Sequence, residues 1–132
     1  MVDRFVQLTK DGTVGSGVQT STFDLDTSLS PLGDANATYV IEVNLSIQFG
    51  SIVDGYTQGG RWGGCFTRMG GLLLTPKYAL QKVFVVSDAS TLTWSKLGDN
   101  QSLRFTLDVF YNVTYTKWYR AWMTIYGKDN TI

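Results

Sequence analysis

The sequence predicts an all-β protein: an antiparallel β-sandwich or jelly-roll of about 7–8 strands. Three observations carry this. The 132 residues include one glutamate, five alanines and 14 glycines, and draw instead on Thr, Val, Tyr, Phe and Trp, which fit a pleated surface. Two long segments alternate apolar and polar residues with the period of a strand. Turn residues recur between the apolar segments, and nothing resembles a strand–helix–strand unit.

From the start of the chain, Val2, Phe5, Val6 and Leu8 can make a short strand, and Lys10-Asp11-Gly12 reads as a turn. The Gly/Ser/Thr-rich stretch that follows reads as a flexible linker. Residues 1–22 are therefore expected to be an N-terminal arm or short strand plus linker, and residues 23–132 the sandwich domain. Phe23 and Leu25 begin the body, and Pro31, Gly33, Asp34 and Asn36 mark a loop.

Residues 38–49 form the clearest strand. Tyr39, Ile41, Val43, Leu45, Ile47 and Phe49 point one way; the residues between them are polar except Val40. Residues 61–69 read as a strand in which Gly63-Gly64 signals a bulge or a close backbone approach. Gly70-Gly71 is a two-residue hairpin turn, and Leu72 to Thr75 follows until Pro76. The apolar run Val83 to Val86 predicts a buried strand, Thr91 to Trp94 a short one, and Gly98-Asp99-Asn100 a turn. In residues 102–111, Leu103, Phe105, Leu107, Val109 and Tyr111 share a face. Asn112 and Val113 make a tight connection to a last strand, residues 114–126, with large groups on both faces. Trp118, Trp122 and Tyr126 share one; Tyr115, Tyr119, Met123 and Ile125 share the other.

Chemistry-bearing patterns are sparse. The chain has no histidine, which removes the commonest general base and metal ligand, so neither an enzyme nor a cofactor is expected. Cys65 lacks an activating partner and reads as a buried thiol. Glu42 sits mid-strand, and the aspartates mostly adjoin turn residues. Asp24-Leu25-Asp26 suits strand-start chemistry better than a calcium site. Eleven acidic and eleven basic residues give zero formal charge, which argues against a nucleic-acid partner. No apolar run follows the opening MVDRF, so neither a signal peptide nor a membrane partner is expected.

The aromatic residues are the strongest functional hint. Trp118 and Trp122 flank Arg120 on the last strand, a bulkier set than an ordinary wet face carries. They can be core, a subunit interface, or a platform for sugars. Interfaces favour Trp, Tyr and Arg anchors. Phe5, Val6, Leu8, Tyr115, Trp118, Tyr119, Arg120 and Trp122 are the candidate interface residues, and Tyr56 and Trp62 the candidate glycan contacts.

The segments YVIEVNLSIQF, GCFTRMGGLLL, KVFVVSDASTLTW, SLRFTLDVF and YTKWYRAWMTIY, in this order, resemble small all-β domains of tailed-bacteriophage structural proteins. Phe66, Arg68, Gly70 and Gly71 match the hairpin pattern of those domains, Leu103, Arg104 and Phe105 the penultimate strand, and Trp118, Arg120, Ala121 and Ile125 the closing strand. The resemblance implies a virion structural protein: a capsid decoration (cement) subunit, a homotrimer made in the host cytoplasm and bound to the major capsid protein on the particle surface. Its alternative is the glycan- or receptor-binding head domain of a tail or head fibre.

Overall fold

A computed structural model of the chain describes residues 3–13, 17–49, 57–86, 90–111 and 118–131. Among them are nine strands: β1 (Asp3–Thr13), β2 (Gly17–Asp26), β3 (Ala37–Phe49), β4 (Thr57–Met69), β5 (Leu72–Leu73), β6 (Gln81–Val85), β7 (Ser90–Lys96), β8 (Ser102–Tyr111) and β9 (Trp118–Thr131). A 3-10 turn, Thr27–Leu29, follows β2. Every pairing is antiparallel. The large sheet runs β1-β9-β3-β4-β5, with β6 also on β4, and the small sheet runs β2-β8-β7.

The two sheets share one core. β3 contributes Ala37, Tyr39, Ile41, Val43, Leu45 and Ile47; β8 contributes Leu103, Phe105, Leu107 and Val109; β9 contributes Ala121, Met123 and Ile125. The alternation in β3 and β8 thus separates a buried face from a wet one, as the sequence pattern expects. Val40, the one apolar residue on the polar side of β3, is 53% exposed. Trp94 of β7 seals the side where the sheets meet. Its ring lies against Phe66 and Phe105, and its Nε1 donates to the Tyr78 carbonyl at 3.0 Å. Gly64 admits that ring: a Cβ there would come within 2.9 Å of it and 3.0 Å of Leu80. The close approach expected at Gly63-Gly64 is therefore a contact between sheets.

The hairpin between β4 and β5 turns on Gly70 and Gly71, with φ of 62° and 79°, a conformation that glycine adopts without steric cost. Just before it, Arg68 is buried. Its Nη1 donates to Thr27 Oγ1 (2.5 Å) and Gln101 Oε1 (2.7 Å), Nη2 to the Gly71 carbonyl (2.9 Å), and Nε to the Asp34 carbonyl (3.1 Å). One guanidinium therefore pins the 3-10 turn, the following loop, the hairpin and the β7–β8 turn together. In that last turn the Asp99 carboxylate accepts from the Ser102 hydroxyl and from the backbone N–H groups of Gln101 and Ser102. These bonds, led by the Ser102 hydroxyl, hold its carboxyl below the usual carboxylate range.

Three expectations are corrected. Lys10-Asp11-Gly12 is not a turn: β1 runs through it, with Asp11 opposite Arg120. Those two side chains form a two-pronged ion pair that rewards the extended pairing. The expected linker contains β2, which pairs with β8 along its whole length, from Gly17 opposite Tyr111 to Asp26 opposite Ser102. A backbone ladder is indifferent to small polar side chains, and Thr suits a strand. The boundary expected after residue 22 therefore falls inside a strand. Finally, the apolar run at residues 83–86 is mostly exposed, and within it Val85 alone packs against the core. β6 lies at the rim of the large sheet, and Val83, Phe84 and Val86 are 62%, 48% and 70% exposed. Val83 is a bulge residue, unpaired between Phe84 opposite Arg61 and Lys82 opposite Trp62.

Candidate functional site

Phe5, Arg120 and Trp122 of the functional candidates lie on the outer face of the large sheet. Strand parity decides which side chains reach it. β1 sends Phe5, Gln7, Thr9 and Asp11; β9 sends Arg120, Trp122, Thr124 and Tyr126; β3 sends Glu42, Asn44, Ser46 and Gln48; β4 sends Gly59, Arg61, Gly63 and Cys65. Two rows cross these strands. Thr124, Asn44, Arg61 and Phe84 form one. Trp122, Ser46 and Gly59 form the other, which continues to Val86 through a 2.8 Å hydrogen bond from its N–H to the Gly59 carbonyl.

Where these rows meet, large rings stand on either side of a floor with small side chains. Trp122 is half-buried on one side; Phe84 and Val86 stand on the other; Ser46 and Gly59 lie between. They enclose an open groove of about 460 Å³, with Asn44 and Gln48 along it.

The charges beside the groove are internally matched. Arg61 Nε lies 2.5 Å from Glu42 Oε1 and 3.0 Å from Asn44 Oδ1, and its guanidinium carbon sits 5.5 Å from the centre of the Phe84 ring. Arg120 Nε lies 2.6 Å from Asp11 Oδ1. The hydrogen bond from Arg120 holds the Asp11 carboxyl below its usual range, and Asp11 in turn raises Arg120.

A second feature is the apolar rim. Among the described residues, seven of the eleven large apolar side chains that are exposed fall within residues 69–86: Met69, Leu72, Leu74, Tyr78, Val83, Phe84 and Val86, each 45–72% exposed. They follow the β5–β6 side of the large sheet. Isolated apolar residues on a surface are ordinary, whereas a concentration along one edge marks a place of contact.

The expected interface set is split by the fold. Phe5 is exposed and faces Tyr126, ring centres 6.4 Å apart. Val6 and Leu8 point the other way and pack against the core. Arg120 is exposed and paired; Trp122 lines the groove. Trp118 and Tyr119 lie in β9 opposite Thr13 and Gly12, and their side chains fall outside the described residues, as do Tyr115, the Asn112-Val113 connection and Tyr56. Trp62 is 3% exposed and belongs to the core, so it has no face to offer a sugar. Cys65, expected to be buried, is exposed because its position in β4 sends it outward. Asp24 is committed to Arg104 through two bonds of 2.8 and 2.9 Å, and Asp26 caps the 3-10 turn. No group of three or more metal-binding side chains occurs among the described residues, and no helix there is long and apolar enough to cross a membrane.

Sequence reasoning misses Phe84 and Val86 because an unbroken apolar run suggests burial, and Leu74 and Tyr78 because the segment around Pro76 has no strand periodicity. Lys82 beside that run was the available signal, since lysine and bulges are typical of edge strands. Comparison with family models, curated proteins and solved structures finds no match for this chain.

Proposed function

We propose that the two sheets form a β-sandwich serving as a virion structural protein: a capsid decoration subunit that acts by contact, associating with its own copies as a homotrimer and with the major capsid protein. One observation carries the reading. The apolar rim along β5 and β6 leaves seven large side chains at least 45% exposed on one edge, a surface that protein contact would cover. The resemblance of the hairpin and strand patterns to those of phage structural domains supplies the kind of assembly. Because residues 3–13 and 17–26 are spent on the two sheets, contact with the shell falls to the rim and not to an N-terminal arm.

The test is mass in solution together with co-sedimentation on shells assembled from the major capsid protein of the same phage. The expected result is an oligomer that sediments with the shells, and loss of both behaviours in a Leu72→Glu/Leu74→Glu double variant that retains its β-sheet circular dichroism. A wild-type monomer that ignores the shells sinks the proposal.

A further inference from the structure

We infer that the groove between Trp122 and Phe84 is a binding site for a neutral sugar ring. The inference goes beyond the decoration reading and does not depend on it: Phe84 and Val86 belong to both the rim and the groove, and the site is one that the chain offers when free of a shell. Three features point to this ligand chemistry.

The first is the uneven lining. Trp122 on one side and Phe84 with Val86 on the other present ring and methyl surface, while the floor is the Ser46–Gly59 pair. A pyranose carries C–H groups on its faces and hydroxyls around its edge. It can therefore lie against an indole and turn its hydroxyls toward a polar floor. The second feature is the supply of uncommitted polar groups. Asn44, Ser46 and Gln48 follow one another on the outer face of β3, about 7 Å apart. Asn44 Oδ1 accepts from Arg61, but the Asn44 amide nitrogen, the Ser46 hydroxyl and the Gln48 amide have no protein partner among the described residues. An amide both donates and accepts, as a sugar hydroxyl requires. An apolar protein segment laid in the same groove would bury these groups unpaired, at a penalty. The third is charge. Among the described residues Glu42 occupies Arg61 and Asp11 occupies Arg120, so the two arginines beside the groove are not free to bind a phosphate or carboxylate, and their two acidic partners are not free to bind a basic peptide. Ring surface, unpaired amides and matched charge together describe an uncharged polyol. Trp62, which the sequence suggested for sugar contact, is buried in the core and plays no part in this arrangement, and Tyr56 lies outside the described residues.

The experiment titrates the isolated chain with cellotriose, maltotriose and tri-N-acetylchitotriose at millimolar concentration, read by tryptophan fluorescence and by saturation-transfer NMR. At least one of the three binds. Trp122→Ala weakens it about tenfold or more, and Gln48→Ala, a milder change on an exposed face, weakens it by about fivefold. Both variants still sediment with shells if the decoration reading holds, because neither Trp122 nor Gln48 belongs to the rim. Binding of none of the three sugars overturns the inference. So does binding that is unchanged in both variants, or a single-stranded oligonucleotide binding in the groove more tightly than any of the sugars.

Discussion

Replacing Arg68 with methionine tests how the two sheets are held in register. The side chain is 3% exposed and donates to four acceptors from four separate segments. Removing it leaves those acceptors unequally provided for. The Gly71 carbonyl keeps a bond from Gln101 Nε2 at 2.9 Å, and the Thr27 hydroxyl still donates to the Gln101 carbonyl at 2.6 Å. The Asp34 carbonyl and Gln101 Oε1 lose the donors described above. Truncating one member of a buried charged network costs about 3–5 kcal/mol, and because three of the four segments stay linked through Gln101 the lower end, about 3 kcal/mol, is expected. Methionine has a similar length and fills much of the space, so the loss is electrostatic and not a cavity. In urea, with a slope of about 1–3 kcal/mol per molar, the midpoint followed by tryptophan fluorescence falls by about 1–3 M. A midpoint unchanged or raised, with the same slope, refutes the reasoning: the desolvation cost of the guanidinium would then equal or exceed what its bonds return.

Other expectations follow from the same contacts. Gly64→Val drives a side chain into the Trp94 ring and Leu80; a loss of about 1–3 kcal/mol in the urea midpoint analysis, with a shifted emission maximum, is expected. Gly71→Ala must hold φ near +79° and destabilises by about 1 kcal/mol, measured the same way. The lowered carboxyl of Asp99 means that the native state binds fewer protons than the unfolded chain. Its contribution is complete above the unfolded value near pH 4 and is lost as pH falls through the folded value, so Asp99→Asn flattens the dependence of the urea midpoint on pH below about 4. Arg120→Ala breaks an exposed ion pair and leaves the urea midpoint within error of wild type.

Strands with one wet face announce themselves, and β3 and β8 were readable to within a residue or two because each separates apolar from polar residues. β2 was not, because its Gly/Ser/Thr-rich first half carries little hydrophobic signal and is held by its ladder to β8. β6 failed for the opposite reason: composition reports how apolar a segment is, not whether another layer exists to cover it. The groove could not be foreseen either. Trp122, Ser46 and Gly59 meet only because β3 lies between β9 and β4, and pairing order is absent from local periodicity. Arg68 looked like one letter of a hairpin pattern; its partners at residues 27, 34, 71 and 101 are scattered along the chain.

The position of β9 bears on how the protein comes to exist. The last of the described strands to be synthesised is an interior one, inserted between β1 and β3, and Arg120 meets a partner 109 residues earlier. Until the ribosome has delivered residues 118–131, β1 has no neighbour in its sheet and the β9-facing side of β3 is an open template for stray strands. Maturation is therefore a late, concerted event, and a nascent chain stalled before this segment should be bound by chaperones or aggregate.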